Sequence, residues 1–170
     1  MALDTAWGGW VLPALPGGGR AAMIKTSYDT DLYAWTLEQA NALRTKQWEA
    51  LDLEHLAEEI ESLGIKQRHA VDSHLRILLL HLLKWIHQPM ESWTSWQCSL
   101  NARDELDWRL TRNPSLRLKL PASVAWAYSR ARQLAAWSTG LPLATFPECC
   151  PWSLEQLLDE DFWPEEKPAC

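Results

Sequence analysis

The sequence predicts an all-α fold: a helical bundle of about five main helices with a short helix docked at the C-terminus. Three observations point there. Leu and Ala are abundant while Val, Ile and Phe are scarce, and Leu and Ala favour helix where β-branched residues favour strand. Apolar residues recur at helical spacing in several windows, and none alternates as a strand does. Pro, Gly and capping residues punctuate those windows. A chain of 170 residues is one domain by length and can bury most of its apolar side chains without disulfides or metals.

Each element has its own signal. The first helix is expected over 28–44, with Ser27, Asp29 and Thr30 as caps and Leu32, Trp35, Gln39, Ala40 and Leu43 at helical spacing. The second is expected over 52–63, where Leu53, Leu56, Ala57, Ile60 and Leu63 form one apolar stripe. Its opposite face carries Glu54, Glu58, Glu59 and Glu61, and Gly64 reads as its stop. The third covers 65–87 and ends at Pro89. It is apolar on nearly all sides between Val71 and Ile86, yet Arg76, His81 and Lys84 interrupt it. A membrane span needs about twenty apolar residues, so this helix is expected to be the surrounded spine of a bundle.

The fourth helix is expected over 93–112, stopped by Asn113-Pro114. The fifth runs from Pro121 to Thr139, with Gly140 and Pro142 ending it. In the last element, PWSLEQLLDEDFWP, Ser153 and Gln156 form a capping box, and Trp152 and Leu157 a hydrophobic staple. Trp152, Phe162 and Trp163 are expected to dock this helix after the run GLPLATFPECCP crosses the bundle surface. Residues 1–22, with three consecutive Gly at 17–19, are expected to be a disordered extension ahead of a single domain over 23–170.

Five blocks, in order, resemble a known family. They are YDTDLYAWTLEQANALR at 28–44, DLEHLAEEIESLG at 52–64, LRILLLHLLKWIHQP at 75–89, NPSLR at 113–117 and GLPLATFPECCPWSLEQLLDEDFWP at 140–164. Together they resemble the bacterial domain of unknown function numbered twenty-nine, over about residues 26–164. The resemblance implies an all-helical, soluble fold and carries no activity with it.

Charge and cysteine usage narrow the function classes. The net charge is −6. Seven acidic residues lie in 148–170 beside Lys167 alone, leaving a body of balanced charge. Such a body lacks the footprint of a general nucleic-acid binder. Cys98, Cys149, Cys150 and Cys170 form no C-x-x-C pair, so reduced thiols in a cytoplasmic protein are expected. No phosphate loop, dinucleotide fingerprint or nucleophile elbow occurs, and no catalytic or cofactor-binding residue is assigned.

Two surfaces remain. Residues 49–61 hold six acidic side chains and no basic one, while 103–132 holds seven basic ones. From the second stretch, Arg109, Arg112, Arg117 and Arg130 are the candidate interaction residues. The expectation is a non-catalytic module that binds a protein partner or itself, with no membrane contact. RNA binding is a weaker alternative, raised by Trp108, Trp126 and Trp137 among the Arg residues; core packing of those Trp, with Arg snorkelling, is preferred. The remaining alternative is a divalent metal held by Glu58, Glu61 and His81, facing one another from two bundle helices. The Glu-x-x-His signature of such sites is absent; Asp52-x-x-His55 is the nearest approach. Trp35, Trp85, Trp93 and Trp96 could line a ligand cavity, but core packing is again preferred.

Overall fold

The structure is a computed structural model that describes residues 28–88 and 92–164. The expectation of a disordered extension over 1–22 lies outside the described residues. The fold is all-α, as the sequence predicts. The helices are α1 (Leu32–Arg44), α2 (Leu53–His87), α3 (Ser92–Arg112), α4 (Leu120–Thr139) and a short α5 (Leu154–Leu158), joined by 3₁₀ turns at Trp48–Ala50, Pro114–Lys119 and Leu143–Thr145. No strand occurs among the described residues. The chain divides into two compact units at the His55–Leu56 boundary.

In the first unit α1 starts later than its sequence suggests. The cap is Asp31, whose Oδ1 accepts the Ala34 N–H at 2.9 Å. Trp35, Gln39 and Ala42 are buried, while Leu32 and Leu43 at the ends of the expected stripe are exposed. Gln39 uses its burial: its Oε1 accepts the Asp52 N–H at 2.8 Å and fixes the end of the chain segment that returns from α1.

The expected stop at Gly64 is absent. α2 runs unbroken for 35 residues. Glycine in a helix interior costs about 1 kcal/mol relative to Ala, which is too little to end a helix that its flanking residues propagate. Nothing lies within 4 Å of where a Gly64 Cβ would stand, and its φ is ordinary. The helix changes character along its length. Ile60, Leu63 and Ile65 are exposed, whereas Val71, Leu75, Leu78, Leu79, Leu82 and Leu83 are buried. That second half is the spine of the second unit, and each such side chain contributes about 2 kcal/mol by leaving water.

Around the spine pack Ala102, Leu106 and Leu110 of α3, Leu120, Ala127, Tyr128, Ala131 and Ala135 of α4, and Leu157 of α5. α4 begins with Pro121 in its first turn and ends on Gly140 at φ 70°, the left-handed stop its sequence signals. The run after it is tied down by polar side chains of α4. Tyr128 donates to the Pro147 carbonyl at 2.9 Å, and Arg132 to those of Phe146 (3.0 Å) and Leu143 (3.2 Å). Ser153 and Gln156 form the expected capping box, with both reciprocal bonds present. Trp152, Phe162 and Trp163 dock as expected against the core. Among the described residues no helix is long and apolar enough to cross a membrane.

Candidate functional site

The outer face of α4 carries two exposed Trp side chains and an exposed Arg. Trp126, Arg130, Leu134 and Trp137 follow one another at spacings of four, four and three, so they share one face of the helix. Trp126 is 49% exposed and Trp137 85% exposed. Arg76 of α2 joins Trp126, Arg130, Gln133 and Leu134 around a shallow groove. The stripe from Trp126 to Trp137 is about 16 Å long at the helical rise. It contains no carboxylate, so it offers flat apolar surface together with cationic hydrogen-bond donors.

A second aromatic–basic cluster sits near the end of α3. Trp108 is 49% exposed, and the Arg112 and Arg109 guanidinium carbons stand 4.8 and 5.5 Å from its ring centroid. Arg109 is partly engaged inside the unit: it donates to Gln67 Oε1 at 3.1 Å and pairs with Glu105 at 3.3 Å. Arg112 and Arg117 are exposed. Of the four candidate interaction residues, Arg130 therefore lines the α4 groove, Arg112 stacks on Trp108, Arg109 is half internal, and Arg117 lies on the 3₁₀ turn before α4.

The preference for core packing of Trp108, Trp126 and Trp137 is thus corrected: all three present their rings to solvent. Trp85, Trp93 and Trp96 belong to one aromatic cluster with Trp163. Trp85 lies 5.0 Å and Trp96 6.5 Å from Trp163, and Trp93 stacks on Trp96 at 4.9 Å. Trp35 is buried in the first unit against Tyr28.

The metal candidates do not converge. The ligand set needed Glu58 and Glu61 on one helix and His81 on another. All three lie on α2, and Glu61 and His81 are separated along one continuous helix by about 30 Å. Glu58 and Glu61 are exposed. Among the described residues no group of three or more His, Cys, Asp or Glu side chains is placed to hold a metal. His81 is half-buried, with Nδ1 3.4 Å from the Oγ of buried Ser95. Burial, with Lys84 adding to it, pushes its imidazole below the usual histidine range. His74 is pushed down in the same way by burial and by Arg109, with Glu105 acting against them.

In the first unit Asp52 and His55 form a tight pair, Oδ2 to Nδ1 at 2.7 Å. Tyr28 stacks on the imidazole at 4.1 Å. Asp52 Oδ1 also accepts the His55 backbone N–H at 3.4 Å, the bond that an N-cap makes to the third helical residue. The side-chain bond to His55 holds the Asp52 carboxyl below its ordinary value. This arrangement begins α2; its chemistry is capping.

Buried Arg103 is the polar group that the sequence reading passes over. Its guanidinium donates to three carbonyls of the C-terminal segment, Leu157 (3.1 Å), Glu160 (3.3 Å) and Phe162 (2.7 Å), and lies 5.1 Å from the Trp163 ring. It reads in sequence as one more member of a basic stretch.

A family model described as "Domain of unknown function DUF29" matches residues 27–163. The chain belongs to the DUF29 family. No curated protein and no solved structure matches the chain. What distinguishes this DUF29 domain among ordinary helical bundles is therefore read from its own surface, where the α4 stripe and the Trp108 cluster are the strongest candidates for contact.

Proposed function

We propose that this DUF29 chain is a non-catalytic interaction module that grips an acidic protein segment through the outer face of α4. The observation that carries the proposal is the exposure of Trp126 and Trp137 on one stripe with Arg130, beside Arg76. Exposed Trp costs solubility, and Trp and Arg are the residues that dominate binding energy at protein interfaces. The rings would supply buried apolar area, and the two guanidinium groups would pair with carboxylates of the partner.

The test is capture from the native host with the wild-type chain and with Trp126→Ala/Trp137→Ala and Arg76→Glu/Arg130→Glu variants. These positions are solvent-facing or groove-lining, so circular dichroism should be unchanged. The expected result is one or more acidic proteins retained by the wild type, retained less by the Trp variant and lost with the charge-reversed one. Identical capture by all three would overturn the reading.

A second reading rests on the Arg112 guanidinium stacked on exposed Trp108, the pairing that single-stranded nucleic acid binders use. It predicts co-purifying material that absorbs at 260 nm, is removed by high salt or nuclease, and is reduced by Trp108→Ala.

A further inference from the structure

The first half of α2 carries a second exposed apolar surface, distinct from the α4 stripe. Ile60, Leu63 and Gly64 stand at i, i+3 and i+4, one face of a helix. Ile60 is 67% exposed and Leu63 59% exposed. Large aliphatic side chains at this spacing normally face a neighbour. Gly64, next to Leu63 on the same face, leaves open space where any other residue would place a Cβ, so a second helix can approach the backbone there.

The charges bordering this face reverse in sign across Gly64. Glu61 comes before it; Lys66 and Arg68 come after. Placed parallel and in register, two such helices set like charges side by side. Placed antiparallel about a two-fold axis near Gly64, the acidic part of each meets the basic part of the other. Glu61 and Arg68 lie at equal distances either side of the Gly64–Ile65 peptide and at the same edge of the helix, being seven residues apart. The surface is thus complementary to itself in one orientation, as an isologous contact requires.

We infer that two copies of this chain pair antiparallel through the first half of α2, crossing at Gly64 and clamped by Glu61 of each against Arg68 of the other. The pairing rests on a surface separate from α4, so Trp126→Ala/Trp137→Ala leaves it intact.

Sedimentation equilibrium of the full chain, from low to high micromolar concentration, reads the pairing directly. A monomer–dimer equilibrium is expected, weakening with added salt as exposed charge pairs do. Ile60→Asp or Leu63→Asp should raise the dissociation constant by about a hundredfold with an unchanged helical spectrum. Glu61→Arg and Arg68→Glu should each weaken the dimer by about fivefold, and the double variant should restore it. A wild-type chain that stays monomeric at high micromolar concentration overturns the inference. So does a dimer indifferent to Ile60→Asp and Leu63→Asp, or a pair of charge variants whose combination fails to restore association.

Discussion

Arg103 on α3 donates to the carbonyl of Phe162 at 2.7 Å, across 59 residues of sequence. Two more carbonyls, of Leu157 and Glu160, complete its set. A guanidinium has five N–H donors in a fixed planar fork, which suits three acceptors spread along one short segment. Burial pushes its pKa down and the nearby Asp159 and Glu160 carboxylates oppose the shift, so the charge is kept. Arg103→Met removes the donor and leaves three carbonyls without it. The expected loss is about 3 kcal/mol in urea unfolding, with limited proteolysis cutting first in 143–164. Arg103→Lys should recover only part of this, because an ammonium lacks the fork.

Gly64→Ala is expected to stabilise the fold. The position is helical, exposed and open, so the added methyl meets nothing. The gain should be about 1 kcal/mol, read as a higher Tm in dilute solution.

Ser153→Ala removes one bond of the capping box, the acceptor for the Gln156 N–H at 3.2 Å. A loss of about 1 kcal/mol is expected. Gln156→Ala removes the reciprocal bond to Ser153 N–H at 2.9 Å and should cost less, because a backbone donor at this exposed site regains water.

Stability should fall as the solution is acidified through the histidine range. His74 and His81 are both depressed in the folded chain. The unfolded chain therefore binds protons first, and stability present above about pH 6.5 is lost as pH drops toward the folded values. Urea midpoints between about pH 7.5 and 5 read this slope. His81→Gln should flatten it, since the imidazole that resists protonation is gone.

The elements that were legible in the sequence are those set by local chemistry. Ser153 and Gln156 lie three residues apart and cap their own helix; Gly140 and Pro142 end α4 within one turn. The stop expected at Gly64 rests on the same kind of local signal, and the helix runs through it. A single glycine disfavours helix modestly, and the helical residues on both sides outweigh it. The expected metal set needs the same stop, because it draws its ligands from two separate helices, and one continuous helix holds Glu58 and Glu61 apart from His81. The exposed rings of Trp108, Trp126 and Trp137 could not be read from spacing. Indole is amphipathic, and a Trp at a helical position fits a core or an interface equally well. Arg103 was hidden for a different reason: its acceptors are backbone carbonyls 54 to 59 residues further on, and carbonyls carry no side-chain signature.

The 35 residues of α2 are a single hydrogen-bonded ladder, yet its two halves are sheltered unequally. Amide protons near Leu75 to Leu83 are enclosed by packed side chains and should exchange with deuterium only when the second unit opens as a whole. Those near Ile60 to Ile65 have little over them and should exchange through small local openings, many times faster. One continuous helix would then show two lifetimes, with the break in protection falling between Gln67 and Val71 rather than at either end.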